Sequence, residues 1–522
     1  MAQQQLSVAS VDASNPRFQL SADSSNNMIA MLLIVVGALS RIVSYLYSDN
    51  SGGDAWARAA LTARWLQHPT AKFVFDTYPP GQFWLIGLIS PLTHDVVSAG
   101  RLLSLLLGIG SLFVVWKLAR LLYGDSAALF SLAAFSFYSL HIGYSTTSSA
   151  EVSYLFFLLA GLLFFFAYAE PPSPRLWCLA VSGVLFSISE SIRYEAWIVF
   201  GASFILLPLV ERGFLGVKQW SRNLLSLFTF GLTGGAWPVF MMAYCWRTFG
   251  DPMYLVHWNK LRVIESLKAI PLSHQLTVMP LALLVSVSPL AIGAALIGLA
   301  RSFSWRLCCA FALLTLVFGA VQTYETLTGG LLALARYTIT LGAMLTIVAG
   351  YGFETVCRKL TPERMGLARV VVITLLCLNS VAILLGSEIS NPYAEKLASI
   401  SPRLRYQSHV GAVAKYLREQ MGPNDAIVID GYHVESDIVA AAAGLPIIAG
   451  DRVYLADSKN ETTVVQYIAA KHPRFLVYAD QGKLRSSFAL PSRCSGIQEI
   501  DGVRFRCAFE SQIYRVYELS YP

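Results

Sequence analysis

Charged residues are scarce in this sequence, and hydrophobic residues are abundant. Of the 522 residues only 14% are charged while 55% are hydrophobic, whereas about 25% of the residues of a soluble domain carry charge. The shortage is uneven, because residues 401–522 hold 27 of the 71 Lys, Arg, Asp and Glu side chains. This composition excludes a soluble enzyme, a disordered protein and a basic nucleic-acid-binding protein. It predicts a polytopic α-helical membrane protein that ends in a small soluble domain.

Several other signals are missing from the sequence. Residues 1–27 contain no basic region ahead of the first apolar stretch, so we predict a cytoplasmic N-terminal tail and a retained span rather than a cleaved signal peptide. No GxGxxG pattern, metal-ligand spacing or internal repeat is present, so neither a nucleotide site nor a metal site is predicted. Six of the eight cysteines lie in apolar segments, and only Cys494 and Cys507 lie in the soluble tail, where one disulfide could form.

Apolar stretches of membrane-spanning length recur along residues 28–390. A span requires about 20 apolar residues, and we predict eleven spans, near 28–47, 101–122, 126–145, 152–169, 177–193, 197–211, 224–246, 279–300, 305–324, 335–356 and 369–388. Basic residues fall on every second connecting loop, which the positive-inside rule places in the cytoplasm. Pro80–Leu92 is too short to span, so we predict juxtamembrane helices within one long external loop, residues 48–100.

This topology places the C-terminal domain, residues 400–522, outside the cytoplasm. A bacterial inner or plasma membrane is the expected location. The domain alternates helix and strand patterns, which predicts a small α/β fold. The predicted helices are His409–Gln420, Val434–Ala443 and Thr462–Ala470, and the predicted strands are Ala426–Asp430, Phe475–Tyr478, 497–507 and 512–519.

Ionisable residues at the external ends of the predicted spans are the first sign of function, because a charge at hydrocarbon depth is costly. Asp54 follows two glycines and precedes an amphipathic helix, Ala55–Gln67. Its position suits a helix N-cap and also a general base that faces a membrane cavity. Asp76 and Tyr78 precede two prolines. This pattern favours an architectural turn, although either side chain could also line a site.

A second acid follows a turn that is rich in hydroxyl groups. Glu151 ends the segment Tyr144–Glu151. An acid at a helix N-terminus is favoured by the helix dipole, and a carboxylate on the same face as Asp54 could also help to activate a hydroxyl group. Local sequence leaves the two interpretations equally open.

Arginines occur at two further external turns. Glu190, Arg193 and Glu195 are three charges within six residues, which suits either an internal Arg–Glu pair or an anion site built on Arg193. Arg336, followed by Tyr337, could bind an anion in the same way. The loop Asp251–Ile270 contains His257 and Lys260. This loop could be an amphipathic segment at the membrane interface or a substrate gate.

Together these residues resemble the membrane glycosyltransferases of the GT-C superfamily. The nearer relatives are the protein O-mannosyltransferases, the lipid A aminoarabinose transferases and the Rgt-type lipopolysaccharide sugar transferases. The resemblance covers residues 28–356. It rests on the order of five short motifs: Asp54, the Tyr78–Gly81 turn, Glu151, the Arg193–Glu195 turn and Arg336-Tyr337.

The resemblance implies an inverting glycosyltransferase whose donor is a polyprenyl monophosphate sugar. By position, Asp54 matches the general base, Glu151 the acid of the second external loop, and Arg336 the arginine near the carrier phosphate. The remaining predicted binding residues are Arg193, Glu195, Tyr337, Tyr78, His257 and Lys260. Two departures from the family motifs count against particular subfamilies. The mannosyltransferases have an Asp-Glu pair where this chain has Asp54-Ala55, and the Trp-Trp-Asp motif of oligosaccharyltransferases is absent.

The chemistry of sugar transfer agrees with these residues even without the family resemblance. A sugar phosphate already carries a good leaving group, so one carboxylate and one or two arginines suffice, and neither a cofactor nor a metal is expected. The expected partners are the lipid-linked donor, a glycan, lipid or protein acceptor, and membrane lipid, but no nucleic acid. The alternatives are a transporter or flippase for lipid-linked sugars and a non-catalytic partner in envelope assembly. Transporters often contain repeats and broken helices, and the absence of a repeat here favours the enzyme.

Overall fold

The computed structural model describes residues 24–48, 53–67, 78–93, 95–169, 175–211, 220–267, 272–328, 334–386, 409–430, 461–479, 496–511 and 514–522, with short stretches and single residues between them. A helical part comes first and a small α/β part follows. The helices of the first part are α1 (Ser24–Tyr47), α2 (Gly53–Gln67), α3 (Gly81–Thr93), α4 (Val96–Tyr123), α5 (Asp125–Ser136), α6 (Ser139–Tyr144), α7 (Glu151–Ala167), α8 (Leu176–Ile192), α9 (Glu195–Val210), α10 (Trp220–Phe249), α11 (Tyr254–Leu267), α12 (Leu272–Val287), α13 (Pro289–Ser302), α14 (Arg306–Leu327), α15 (Ile339–Cys357) and α16 (Pro362–Gly386). A 3-10 helix, Ala335–Thr338, leads into α15.

All eleven predicted spans fall on helices, but the helices differ in length. Among the described residues six are long and apolar enough to cross a membrane, namely α1, α4, α10, α14, α15 with its preceding turn, and α16. The bent pair α12 and α13 makes a seventh if it counts as one span. Helices α5, α7, α8 and α9 are apolar but have only 10–17 residues. The structure therefore supports six or seven crossings, and the count of eleven stays a prediction.

Two of the predicted spans are broken helices. The first divides into α5 and α6, and Arg41 of α1 fills the break, where its guanidinium donates to the carbonyls of Phe135 and Ser136 at 3.3 Å each. Such a cation satisfies carbonyls that the end of a helix leaves without partners. The second bends by 101° between α12 and α13. Ser288 at this bend has a φ of 91°.

The helices α2 and α3 occupy the predicted external loop, which confirms the prediction of helices at Ala55–Gln67 and Pro80–Leu92. The 13 residues of α3 rise about 20 Å, which is less than the hydrocarbon thickness. Gly81 begins α3 against Ser191, and a Cβ at this position would overlap both the side chain and the backbone of Ser191. This glycine therefore allows α3 to start directly against the end of α8. Asp76 lies outside the described residues.

The C-terminal part contains a six-stranded sheet with strand order β2-β1-β3-β6-β5-β4. Its elements are α17 (His409–Gln420), β1 (Ile427–Ile429), β2 (Val453–Leu455), α18 (Glu461–Lys471), β3 (Phe475–Ala479), β4 (Ile497–Ile500), β5 (Val503–Glu510) and β6 (Tyr514–Ser520). β1 pairs in parallel with β2 and β3, and the remaining pairs are antiparallel. A small sheet with helices beside it is thus present, as the α/β prediction requires, although most of the predicted helix Val434–Ala443 lies outside the described residues.

One strand prediction in this domain is wrong. A single strand over 497–507 is in fact the hairpin of β4 and β5, because Asp501 and Gly502 adopt φ values of 52° and 79°. Two consecutive residues with positive φ form the tight turn that an Asp-Gly pair favours. Cys494 and Cys507, whose Cα atoms are 5.4 Å apart, form the disulfide that the sequence left open.

One face of the sheet is continuous with the membrane part. Trp56, Ala59 and Ala60 of α2 belong to the same cluster of buried apolar side chains as Val413 and Leu417 of α17. Successive helical residues are rotated by about 100°, so these three α2 residues lie on the side opposite to Asp54. The C-terminal domain therefore packs against the side of α2 opposite to Asp54.

Candidate active site

Asp54 is the second residue of α2, whereas the sequence predicted a helix that begins one residue later, at Ala55. Its side chain reaches across to other elements. Oδ1 accepts a hydrogen bond from the hydroxyl of Tyr78 at 3.1 Å. Oδ2 forms an ion pair with Nη1 of Arg336, 282 residues further along the chain. Both carboxylate oxygens of Asp54 are therefore occupied by groups from distant segments.

Arg336 reaches Asp54 from the short 3-10 helix that precedes α15. Its second terminal nitrogen, Nη2, donates to the hydroxyl of Tyr337 at 3.3 Å, and its guanidinium lies 5.1 Å from the centre of the Tyr337 ring. Tyr337 thus helps to hold the guanidinium against Asp54. We call the arrangement of Asp54, Arg336 and Tyr78 the outer cluster.

A second arrangement, which we call the inner cluster, consists of Glu151, Arg193 and Glu195. Nη1 of Arg193 contacts Oε1 of Glu151 at 2.5 Å, and Nη2 contacts Oε1 of Glu195 at 2.5 Å. The Nε atom of Arg193 is 3.1 Å from both carboxylate oxygens of Glu195. The internal Arg–Glu pair that the sequence allowed is therefore present. Because Glu151 also begins α7, its position at the helix N-terminus and its ion pair are compatible.

The ring of Tyr337 contacts both clusters. The guanidinium of Arg193 lies 5.2 Å from the centre of this ring, and that of Arg336 lies 5.1 Å from it. Residues from α2, α7, the α8–α9 turn and the 3-10 helix thus converge at one end of the helical bundle, as the sequence predicts.

A cavity of about 470 Å³ opens beside these clusters. Asp54, Tyr78, Arg193, Glu195, Lys260, Arg336 and Tyr337 line it, together with Arg58, Glu325 and mainly apolar residues. Glu151 is buried behind Arg193 and is not part of the lining. His257 does not line the cavity either, since its Nδ1 pairs with Asp251 at 2.7 Å and the side chain is exposed. The structure therefore brings together most of the predicted site but leaves His257 outside.

The charges around Asp54 keep it ionised. Burial alone would raise the pKa of this carboxyl group, but the positive charges of Arg336, Arg58 and Arg193 outweigh burial and hold the pKa below its ordinary value. The hydrogen bond from Tyr78 acts in the same direction. Burial and the neighbouring Asp54 raise the pKa of Tyr78, so its hydroxyl remains a donor.

Comparisons with known proteins give an independent view of this arrangement. Residues 77–234 match the family model of dolichyl-phosphate-mannose-protein mannosyltransferases, whereas no curated protein sequence matches the chain. The structure of ArnT from Cupriavidus metallidurans bound to undecaprenyl phosphate is similar with a TM-score of 0.61 and 12% identity, over 93% of this chain and 97% of ArnT. The chain has a GT-C fold. The resemblance to the GT-C glycosyltransferases is thereby confirmed.

A second solved structure with the GT-C fold is similar over most of the chain. The archaeal oligosaccharyltransferase AglB from Archaeoglobus fulgidus, in complex with an inhibitory peptide and a dolichol-phosphate, has a TM-score of 0.50 and 12% identity over 86% of this chain and 69% of AglB. At this level of identity the likeness shows the fold alone. The matched family segment includes Tyr78, Glu151, Arg193 and Glu195, and the GT-C fold brings Asp54 and Arg336 to them.

The sequence reasoning missed one charged residue of the site. Arg58 is only 3% exposed and lines the cavity, with its guanidinium 4.4 Å from the centre of the Tyr78 ring. The signal was its spacing, because residues four apart on a helix share a face, and Asp54 and Arg58 have this separation. Among the described residues no group of three His, Cys, Asp or Glu side chains could hold a metal ion.

Proposed function

We propose that this protein is an inverting glycosyltransferase. It transfers one sugar from a polyprenyl-phosphate donor to a hydroxyl group of an acceptor on the external face of the membrane. The observation that carries the proposal is Asp54, an ionised carboxylate held by Arg336 and Tyr78 on the wall of a cavity at the end of the bundle. One carboxylate beside several cations is what this transfer requires.

In the proposed reaction the acceptor hydroxyl attacks the anomeric carbon from the face opposite to the carrier. Asp54 accepts the hydroxyl proton while the new oxygen–carbon bond forms. The bond between the anomeric carbon and the phosphate oxygen breaks, and its electron pair stays on the carrier phosphate. Cationic side chains in the cavity stabilise this growing negative charge. A single displacement of this kind inverts the anomeric centre.

The comparisons support the class of donor. The similar ArnT structure contains undecaprenyl phosphate and the similar AglB structure contains a dolichol-phosphate, so two proteins of this fold bind polyprenyl phosphates. The cavity of the present chain is lined largely by apolar residues around a few charges. Such a lining suits an amphipathic ligand whose hydrocarbon chain remains in the lipid.

We propose the external side for the site on grounds of topology. Eleven crossings with a cytoplasmic N-terminus place the start of α2, the start of α7, the α8–α9 turn and the start of α15 on one side. Their convergence around the cavity supports this arrangement. The C-terminal domain shares an apolar cluster with α2 and is therefore proposed to be external too. Membrane-impermeant labelling of single cysteines in the C-terminal domain and in the α4–α5 connection would test this topology, and labelling of both from one side would contradict it.

The decisive experiment measures sugar transfer by the purified protein in lipid nanodiscs. The wild-type protein is incubated with a panel of polyprenyl-phosphate sugars and an extract of envelope acceptors. We expect one donor to be consumed and transfer to be lost in Asp54→Asn, since an amide cannot accept the proton. Asp251→Asn is the matched control, because this carboxylate pairs with His257 outside the cavity and should leave transfer intact.

Each outcome separates the proposal from its alternatives. Normal transfer by Asp54→Asn would remove the proposed base. Transbilayer movement of an intact lipid-linked sugar without any transfer would instead indicate a flippase. Loss of transfer in both variants would show that the effect of Asp54→Asn is not specific to the site.

A further inference from the structure

The cations of the cavity differ in whether a carboxylate neutralises them. Arg336 is paired with Asp54, and Arg193 is paired with both Glu151 and Glu195. Both arginines that the sequence nominated for phosphate binding are therefore already engaged. A phosphate at Arg193 would have to displace a carboxylate, and at Arg336 only the Nε atom is without a partner among the described residues.

Arg58 lacks such a partner among the described residues. The structure gives it no ion pair there, and its Nε and Nη1 atoms are buried without a hydrogen-bond partner. Its side chain is 97% buried, since only 3% is exposed. Asp54 is near enough to act on this charge but is not hydrogen-bonded to it among the described residues. A buried guanidinium without a hydrogen-bonded anion is unfavourable, which indicates that the cavity can receive one.

The surroundings of Arg58 orient it for a ligand. The Tyr78 and Phe83 rings lie 4.4 Å and 6.0 Å from its guanidinium carbon. Contact with aromatic faces stabilises the planar cation and leaves its N–H edges available, the edges with which arginine binds two oxygens of a phosphate. Because Thr62 donates to the Arg58 carbonyl at 2.8 Å within α2, the helix backbone at this position is also fixed.

Lys260 supplies a second cation to the same cavity. It lies on α11, lines the cavity with Arg58, and forms no ion pair within the described part of the chain. Glu325 is the remaining carboxylate of the lining, and it forms no ion pair with either cation among the described residues. Arg58 and Lys260 are thus the two lining cations that form no ion pair among the described residues.

We propose that Arg58, assisted by Lys260, binds the phosphate of the lipid-linked donor. This inference rests on the proposed function and assigns the phosphate within it. Arg336 then acts on Asp54 rather than on the carrier, and Arg193 holds the inner cluster together. As the bond to the sugar breaks, the leaving phosphate gains charge next to a guanidinium whose Nε and Nη1 atoms have no acceptor among the described residues.

The test uses undecaprenyl phosphate, a carrier without sugar, so that binding is measured apart from transfer. Native mass spectrometry of the full-length protein counts the bound lipid, with the uncharged alcohol undecaprenol as a parallel probe. Arg58→Gln should weaken binding of the phosphate by at least roughly tenfold, because charge-assisted hydrogen bonds are lost, and should leave undecaprenol binding unchanged. Arg64→Gln on the same helix is the matched control, since that side chain is exposed.

Two further variants keep the inference testable if Arg58→Gln does not fold. Arg58→Lys preserves the charge but not the two-point geometry, and Lys260→Gln removes a partly exposed cation; both should weaken phosphate binding by a smaller factor. Wild-type affinity for undecaprenyl phosphate in the folded Arg58 variants would overturn the inference. It would leave the proposed function standing, whereas absence of phosphate binding by the wild-type protein would reject the proposed donor itself.

Discussion

The outer and inner clusters are each built on an arginine and its carboxylate partners but differ in how many carboxylates the arginine contacts. In the inner cluster Arg193 contacts two carboxylates, and the side chains of Arg193 and Glu151 are 8% and 1% exposed. In the outer cluster Arg336 contacts one carboxylate, and the side chains of Arg336 and Asp54 are 19% and 24% exposed. The inner cluster connects α7, α8 and α9. Its Arg193 and Glu195 also line the cavity but Glu151 does not, whereas all three members of the outer cluster line it.

This difference shows how one fold can use arginine–carboxylate pairs both to stabilise the structure and to take part in a reaction. Exchange of partners is unfavourable for a buried arginine between two carboxylates, because any rearrangement leaves a buried charge unpaired. A single pair at a cavity wall can exchange with ligands and solvent at lower cost. We therefore propose the chemical role for Asp54 and a structural role for Glu151, although the sequence predicted both as catalytic.

The largest expected effect is on turnover at the outer cluster. Asp54→Asn should lower kcat by about 10²–10⁴, the usual contribution of a general base, with little change in thermal stability. Transfer assays and thermal unfolding in the same detergent measure the two quantities. A large loss of stability in Asp54→Asn would show that the outer cluster is framework as well.

The inner cluster should show the reverse pattern, with stability affected first. Glu151→Gln leaves the buried Arg193 with one carboxylate and should destabilise the protein by about 3 kcal/mol, measured by thermal and chemical unfolding. Glu419→Gln is a suitable control, because that carboxylate lies in an exposed pair with Lys415. Unchanged stability together with lost transfer in Glu151→Gln would place this carboxylate in the chemistry.

A smaller effect is expected in the pH dependence of the outer cluster. Asp54 accepts a proton only in its ionised form, which exists above its pKa, and Arg336 is the largest of the charges that lower this pKa. Arg336→Gln should therefore raise the pKa of Asp54 and move the acid limb of the kcat/KM profile to higher pH. A shift to lower pH, or an unchanged limb with normal turnover, would contradict the role of Asp54 as base.

The smallest effect is expected outside both clusters. His257 pairs with Asp251 and does not line the cavity, so His257→Gln should change kcat/KM by less than about twofold, as is usual for exposed pairs. Kinetics with the identified donor would measure this change. A large rise in KM would instead restore His257 to the substrate gate that the sequence allowed.

The sequence predicted the local features of this protein better than its long-range contacts. Scarce charges and apolar runs predicted the positions of the membrane helices, and helical periodicity predicted α2. These signals arise from residues that are close together in the sequence. The ion pair of Asp54 and Arg336 joins residues that only the assembled bundle brings together. Whether Arg193 would bind an anion or two carboxylates likewise depended on packing, so the sequence left both interpretations open.

Two local errors have the same physical origin. Arg58 was overlooked because its spacing from Asp54 is common on surface helices, and its burial arises only when α3 and the cavity wall pack against α2. The hairpin at Asp501-Gly502 was overlooked because the flanking residues continue a strand pattern across the turn. In each case a correct local pattern had two structural outcomes, and tertiary contacts decided between them.

The two-sided burial of α2 has a consequence for how the protein tolerates mutation. One side of this helix presents Asp54 and Arg58 to the cavity, and the other joins the apolar cluster of the C-terminal domain. Only Arg64 and Leu66 among its residues with described side chains are exposed, and the exposed fraction of Leu66 is 38%. Neutral substitutions are therefore expected to concentrate at the C-terminal end of α2, and changes in the soluble domain should require compensating changes in a helix that the active site also constrains.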